Sequence, residues 1–187
     1  MRQMGEYRLG APRQRVWTAL NDPEVLAASI DGCQSLTKTA DDAFEAVVRA
    51  RIGPVSAPFT AEVKLADVVA PESYRLIVNA KGGAAGFGKG EARVTLAEEG
   101  AATVLAYEVE GQVGGKLAQV GQRLIDAAAR KMADDFFARF GEAVAPGASE
   151  KTTPAAPTGP GRAGIAPWIA LAVAAVLAAL AALVLRR

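Results

Sequence analysis

The side chains that most often carry out catalysis near neutral pH are absent from this sequence or present only once. Its 187 residues include no histidine and one cysteine, Cys33. Without histidine there is no Ser-His-Asp or Cys-His pair, no zinc site of the HExxH type and no imidazole acid/base catalyst. Any enzymatic chemistry would therefore rest on carboxylates, lysines or tyrosines.

The carboxylates do not form an evident catalytic or metal-binding set. Adjacent acidic residues occur at Glu98-Glu99 and Asp134-Asp135, and adjacent side chains point apart on a strand or helix, which favours solvated surface over a shared metal. Glu108 and Glu110 share one strand face without a nucleophile at a suitable spacing. Tyr107 with Glu108 is the remaining candidate for an acid/base pair.

Residues 81–92 contain a run of glycines that superficially resembles a phosphate-binding loop. The run lacks the GK[ST] ending, because Lys89 is followed by Gly90, and it leads into a predicted strand instead of a helix. A hairpin connection is the favoured interpretation. Phe87 within it could close the mouth of a cavity or contact a partner.

A segment near the carboxyl end predicts a membrane anchor. Residues 165–185 carry no charged or strongly polar side chain, and as a helix they would span roughly 30 Å, the thickness of a bilayer's hydrocarbon core. Trp168 lies where an interfacial aromatic side chain commonly anchors such a span, and residues 186–187 form a short basic tail. A buried core helix is less favoured because the segment has no polar stripe.

The rest of the sequence divides into a domain, residues 1–145, and a linker, residues 146–164. Four prolines, four glycines and no large apolar side chain predict a flexible tether. Residues 1–10 lack the apolar core of a secretory signal, which with the lone cysteine predicts a cytoplasmic domain. Residues 1–146 hold 17 Lys and Arg against 19 Asp and Glu. This net charge of −2 argues against nucleic-acid binding and predicts hydrophobic, not polybasic, membrane attachment.

Alternating hydrophobicity indicates that most of the domain is a sheet. Five segments between residues 44 and 110 place apolar side chains on one face and charged ones on the other, which is typical of an antiparallel sheet with one solvated face. Residues 2–9 predict a further strand, and two short helices are predicted over residues 12–20 and 23–30. Hairpin turns are expected at Asp41-Asp42, Gly53-Pro54, Ala70-Pro71-Glu72 and Glu99-Gly100.

From Lys116 to Val144 the pattern predicts one long helix. Its inward face is predicted to carry Leu117, Val120, Gly121, Leu124 and Ala128, with Arg123, Asp126 and Arg130 pointing away, and further along Met132, Phe136 and Phe140 inward. The predicted fold class is α+β, with a curved antiparallel sheet wrapped on this helix, plus one transmembrane helix. Many inward positions are small, so a ligand cavity and a helix packed closer to the sheet both stay open.

Two stretches carry a family resemblance. LNDPEVLAASIDGCQSL (residues 20–36) and LAYEVEGQVGGKLAQVGQRLIDAAARKMADDFF (residues 105–137) resemble the CoxG-like family of carbon monoxide dehydrogenase subunits, within the START-like helix-grip superfamily. The resemblance covers about residues 1–145, and VGGKLA, RLI and MADDFF are its most specific parts. Asp31 departs from the proline that the family usually has before Gly-Cys.

The resemblance implies a membrane-anchored, non-enzymatic accessory protein of the bacterial inner membrane. Such a protein would recruit a molybdenum hydroxylase of the carbon monoxide dehydrogenase type and bind a lipophilic quinone, menaquinone or ubiquinone, linking the enzyme to the respiratory chain. No covalent cofactor, metal or nucleic acid is implied. The alternatives are a docking adaptor that carries no ligand and, less favoured, an enzyme resembling a polyketide cyclase.

The quinone would lie in the cavity between sheet and helix, where an apolar lining suits an isoprenoid chain. The side chains predicted to line this cavity are Val48, Phe59, Val63, Leu76, Val78, Phe87, Val94, Leu105, Tyr107, Leu117, Val120 and Leu124.

Overall fold

The alternating segments form one antiparallel sheet in the computed structural model, which describes residues 2–146. Its strands are β1 (Arg2–Leu9), β2 (Cys33–Ala40), β3 (Ala43–Ile52), β4 (Val55–Val69), β5 (Ser73–Lys81), β6 (Phe87–Glu99) and β7 (Ala102–Gly114). Within the described residues they lie in the order β1-β7-β6-β5-β4-β3-β2. Consecutive strands from β2 to β7 are neighbours, and β1 crosses over to pair with β7.

The predicted faces of the five alternating segments are confirmed. The side chains at alternate positions from Phe44 to Ile52, Phe59 to Leu65, Tyr74 to Val78, Ala92 to Leu96 and Leu105 to Val109 are all buried in one hydrophobic core. The intervening charged residues face solvent. The predicted turns are confirmed as well, because each lies between two paired strands.

The edge strand β2 was not evident from the sequence. Most of its side chains are exposed, so it lacks the apolar alternation that marks the other strands. Its pairing with β3 is also irregular, with register shifts after Cys33 and after Lys38. Its place in the sheet is set by backbone hydrogen bonding to β3 rather than by burial of its side chains.

Two short helices follow β1 and close one end of the core. In α1 (Arg13–Ala19) the side chains of Val16 and Trp17 are buried, as is Leu20 at its end. In α2 (Pro23–Ser29) proline occupies the first turn, and the Asp22 carboxylate accepts a hydrogen bond from the Glu24 amide at 2.9 Å. This N-cap satisfies one of the amides that a helix start leaves unpaired.

The carboxyl-terminal helix begins later than the sequence predicted, and the inward face of its first half is different, whereas Phe136 and Phe140 are buried as predicted. Residues Leu117–Val120 form a 3-10 turn, and Gly121 then takes a φ of +93° that no helical residue adopts. Helix α3 therefore runs over Gln122–Val144. Its buried side chains are Ile125, Ala129, Ala133, Phe136, Phe137, Phe140 and Val144.

Helix α3 lies across the concave face of the sheet and contacts β3, β1 and α2. At the turn between α2 and β2, the Asp31 carboxylate accepts a hydrogen bond from Arg139 Nη2 at 2.8 Å. The residue that departs from the family pattern thus ties this turn to α3.

The linker, the membrane span and the basic tail that the sequence predicts lie almost entirely outside the described residues. Within residues 2–146, the helices are too short or too polar to cross a bilayer.

Candidate functional site

Most of the predicted cavity-lining side chains lie in the hydrophobic core. Whether any of them contacts a ligand stays a prediction, but their burial limits the space available around them. The buried members of the predicted set are Val48, Phe59, Val63, Leu76, Val78, Val94, Leu105, Tyr107 and Leu117.

Three members of the set lie outside that core. Val120 is half-buried, whereas Phe87 and Leu124 are 49% and 51% exposed. The inward position predicted for Leu124 is therefore wrong. The cause is the helix start at Gln122, which turns Ile125 toward the sheet and Leu124 toward solvent.

The small inward residues pack closely in the half of the sheet toward β2. Ala46 and Ala50 on β3, and Ala61 on β4, are almost completely buried, and α3 contacts β3 directly. Over these strands the closer helix, and not a cavity, accounts for the small side chains.

An open groove lies in the half of the sheet toward β1, between α3 and strands β1, β7, β6 and β5. Its volume is about 1590 Å³, above the roughly 300–1,000 Å³ of typical small-molecule sites. Tyr107 and Val78 are the members of the predicted set that line it. The lining comprises residues 2–7, 77–79, 89–91, 107 and 110–112 of the sheet and Gln122, Asp126, Arg130 and Asp134 of α3. Of the sheet residues, those on the face toward α3 are Gln3, Gly5, Tyr7, Val78, Gly90, Tyr107 and Gly111, and the intervening residues lie on the outer face.

This groove is more polar than the sequence predicted. Asp126 and Arg130, expected to point away from the sheet, line it, and Gln122 Nε2 donates a hydrogen bond to Asp126 Oδ1 at 2.6 Å. Polar side chains from the first half of α3 thus form one wall. A purely apolar cavity, as first expected, does not describe this site.

Two of three stacked aromatic rings, Tyr7 and Tyr107, line the groove, and the third, Phe137, lies behind them. The Tyr7 ring lies 4.0 Å from the Phe137 ring and 6.0 Å from the Tyr107 ring, centroid to centroid, with interplanar angles of 23° and 8°. Gly5 makes room for them, because a Cβ there would lie 2.6 Å from Tyr107 Cε1. Such offset pairs hold their rings at fixed positions.

The tyrosine hydroxyls are held by hydrogen bonds at the groove wall. Tyr7 Oη donates to Asp134 Oδ1 at 2.6 Å. Burial raises the pKa of Tyr7, and the Asp134 hydrogen bond raises it further. Burial also raises the pKa of Tyr107, while its hydrogen bond with Tyr7 lowers it. Both phenols are therefore protonated near neutral pH, where they are hydrogen-bond donors.

One buried acceptor at the same strand remains unpaired within the described residues. Gln3 precedes Tyr7 on the inner face of β1 and also lines the groove. Its Oε1 atom is buried without a hydrogen-bond partner. A buried amide oxygen without a partner costs free energy, so a ligand hydroxyl donating to it would stabilise the bound state.

The candidate acid/base pair is divided by the sheet. Tyr107 faces the groove, whereas Glu108 lies on the opposite face of β7, where it forms an ion pair with Arg2. Tyr107 and Glu108 thus do not act on one bound molecule as a pair. Within residues 2–146 no three cysteine or acidic side chains are placed to hold a metal ion.

Sequence reasoning missed the other groove residues: Gln3, Tyr7, Gln122, Asp126, Arg130 and Asp134. The sequence placed Tyr7 on a strand and Asp134 on a helix, but it did not show that β1 pairs with β7. That pairing sets Gly5 opposite Tyr107 and brings Tyr7 beside it.

Comparison with known proteins identifies the domain. The family model of CoxG, a subunit of carbon monoxide dehydrogenase, matches residues 5–145. The crystal structure of a conserved protein from Geobacillus kaustophilus is 31% identical, with a TM-score of 0.73, and the alignment covers 77% of this chain and 95% of that one. No protein of curated function matches the sequence.

More distant solved structures share the fold. A protein from Thermus thermophilus is 16% identical, with a TM-score of 0.58 and coverage of 77% of this chain and 97% of its own. A protein from Chromobacterium violaceum is 17% identical, with a TM-score of 0.57 and coverage of 78% and 98%. These likenesses support a START-like fold for residues 2–146.

Proposed function

The chain belongs to the CoxG family of carbon monoxide dehydrogenase subunits, and from that premise we propose that it holds a lipophilic quinone for a molybdenum hydroxylase of the carbon monoxide dehydrogenase type. The family indicates an accessory role rather than a catalytic subunit. The proposed protein is anchored in the bacterial inner membrane by residues 165–185, with its domain facing the cytoplasm. It recruits the enzyme and links it to the respiratory chain.

The stacked tyrosines at the groove carry this proposal. A quinone head is a flat ring with two carbonyl oxygens, so it needs a flat surface to stack on and donors at its edge. The Tyr7 and Tyr107 rings offer the surface, and the Tyr107 hydroxyl and the Arg130 guanidinium on the same wall offer the donors. Menaquinone and ubiquinone both meet this description.

The reduced form of the ligand also finds partners in the groove. A quinol has two hydroxyl donors where a quinone has two acceptors. Asp134 Oδ1 and the unpaired Gln3 Oε1 are acceptors in the lining of the groove. The groove thus offers hydrogen bonds to both redox states, which a carrier of electrons requires.

The isoprenoid tail has less surface available than the head. Val78 is the aliphatic side chain of the lining on the face toward α3, because Met4 and Ile77 lie on the outer face of the sheet, while most of the side chains first expected to hold the tail are packed in the core. We therefore assign the groove to the head group, with the tail leaving through its open side.

The quinone proposal predicts a specific effect of one hydroxyl. Replacing Tyr107 with phenylalanine keeps the ring and removes one donor, which is worth about 0.5–1.5 kcal/mol. We expect the affinity for quinone to fall about 2- to 13-fold. The measurement is the quinone retained by the purified full-length protein, extracted into organic solvent and quantified by mass spectrometry, together with a binding titration.

Tyr74→Phe is the matched control. Tyr74 is also buried on the inner face of the sheet, but its ring packs edge-on against Trp17 at 5.5 Å, away from the groove. This variant should retain quinone as the wild-type protein does. Wild-type protein that carries no quinone, or equal losses in Y107F and Y74F, would refute the proposed site.

A docking adaptor without a ligand is the second candidate, because the core over β3 and β4 is closely packed. It is distinguished by measuring the amount of carbon monoxide dehydrogenase that sediments with membranes. An adaptor should recruit the enzyme equally well as wild-type and as Y107F, and neither protein should yield quinone on extraction.

A further inference from the structure

The net charge of the domain conceals a separation of charge between its two ends. At one end, residues 50–58, 79–90 and 111–125 include five exposed basic residues and no Asp or Glu. We call this the basic end. At the other end, which we call the acidic end, residues 40–43, 66–73 and 97–102 include six exposed acidic residues and no Lys or Arg. The five basic residues are Arg51, Lys81, Lys89, Lys116 and Arg123.

The antiparallel topology is what gathers these charges. The connections from β3 to β4, from β5 to β6 and from β7 to α3 all lie at one end of the strands. The other three hairpins lie at the opposite end of the strands. Lys81 forms an ion pair with Glu62 at 3.3 Å. No carboxylate among residues 2–146 forms an ion pair with the other four. Their charge is therefore available to a partner.

The basic end also exposes large apolar side chains. The Phe87 ring lies against Gly114, and Leu124 lies beside Val120 near Gly53. Both Phe87 and Leu124 are about half exposed. Phe87 is the first residue of β6 and Leu124 lies in the first turn of α3, so two elements contribute to the same surface.

We propose that the basic end docks on the surface of an anionic lipid bilayer. Exposed lysine and arginine side chains are attracted to anionic head groups, each contributing about fivefold in affinity. Phenylalanine and leucine side chains within such a basic field bury apolar area at the boundary between head groups and acyl chains. The basic end carries both features, whereas the acidic end would be repelled by the same surface.

The sequence after α3 is long enough for this orientation. Helix α3 starts at the basic end and runs for 23 residues, so Val144 lies about 34 Å away toward the acidic end. The predicted tether, residues 146–164, can extend to about 65 Å. A domain anchored through residues 165–185 can therefore turn its basic end toward the same membrane.

This docking places the groove close to the lipid. Lys89 and residues 111–112 belong both to the basic end and to the groove lining. A hydrophobic ligand could then pass between the groove and the bilayer over a short path. The evidence for the docking surface is the charge and the exposure of its side chains, and it does not depend on the proposed quinone.

The test uses residues 1–146, so that the predicted span does not dominate binding. This domain contains the whole hydrophobic core described above, and the Geobacillus kaustophilus relative, which is 95% covered by the same alignment, was solved as a separate protein. We expect the domain to sediment with vesicles of equimolar phosphatidylcholine and phosphatidylglycerol, and to be released by salt. It should not sediment with phosphatidylcholine alone.

The double variant K116E/R123E should weaken this binding by about 30-fold or more, because it removes two positive charges worth about fivefold each and adds two negative charges that the lipid repels. The matched control is K38E/K64E, which makes the same change in net charge next to the acidic end, where these lysines pair with Asp41 and Asp42. It should bind nearly as well as the wild-type domain. Circular dichroism would show that both variants are folded.

Equal losses in the two double variants would overturn the proposal, as would failure of the wild-type domain to bind anionic vesicles. If the domain instead bound the purified enzyme, and K116E/R123E abolished that binding alone, the surface would be assigned to a protein partner and the lipid proposal rejected. None of these outcomes depends on whether quinone is present, so this test and the quinone test fail independently.

Discussion

Truncation of Ile125 to alanine is expected to lower the free energy of unfolding of the domain by about 2–5 kcal/mol, the range found for large-to-small changes at buried aliphatic positions. Ile125 is 0% exposed and lies on the face of α3 that packs against the sheet. The alanine would remove apolar contacts and leave a cavity that a close-packed core fills only in part.

Leu124→Ala is the matched control for this prediction. The leucine next to it in the sequence is half exposed, so its truncation should cost about 0.5 kcal/mol or less. Urea denaturation of the two variants, followed by circular dichroism, measures the difference. A larger loss in L124A than in I125A would mean that α3 presents the face first predicted from the sequence, and would contradict the helix register described here.

The register of α3 shows a limit of reasoning from hydrophobic pattern. Alanines occupy positions 127, 128, 129 and 133, so several faces of the helix look similarly apolar. What decides between them is where the helix begins, and that depends on the positive φ of Gly121. Phe136 and Phe140, by contrast, were predicted correctly because bulky aromatic residues four apart mark one face.

The sheet was predictable for the opposite reason. From β3 to β7 large apolar side chains alternate with charged ones, and a shift of one residue would expose every member of the apolar face. Local turns then specify which strands are neighbours. The pairing of β1 with β7 joins residues about a hundred positions apart, and no local signal in either strand specifies it.

The groove was not predictable because it depends on that long-range pairing. Tyr7 and Tyr107 lie on different strands and Asp134 lies on α3, so their proximity exists only in the folded chain. The separation of charge was missed for a related reason. The separation becomes evident when the connections of the antiparallel sheet are grouped by the end of the strands at which they lie. The net charge sums the charges of both ends and so does not reveal it.

The domain is expected to unfold cooperatively in alkali above about pH 10. The sequence has three tyrosines, and all three have a raised pKa. Burial raises the pKa of Tyr74 well above its usual value of 10, and it raises the pKa of Tyr7 and Tyr107 in the same direction. None should therefore ionise at pH 10 while the domain is folded.

The sign of the effect follows from proton linkage. Above pH 10 the unfolded chain loses its phenolic protons, whereas the folded domain keeps them until its higher pKa is reached. The stability is thus complete below pH 10 and falls as the pH rises toward the folded pKa. For the fully buried Tyr74 the slope is about 1.4 kcal/mol per pH unit, and Tyr7 and Tyr107 add to it.

The measurement is tyrosinate absorbance and far-ultraviolet circular dichroism recorded along one titration from neutral to alkaline pH. Both signals should change in one transition, and its midpoint should move to higher pH in Y74F, which removes one of the three groups together with a hydroxyl that has no partner among the described residues. The two proteins differ only at position 74, so the comparison isolates the effect of the Tyr74 phenol. If tyrosinate absorbance rose near pH 10 while the circular dichroism stayed native, the phenols would be accessible in the folded domain. That result would contradict the buried, hydrogen-bonded tyrosines at the groove.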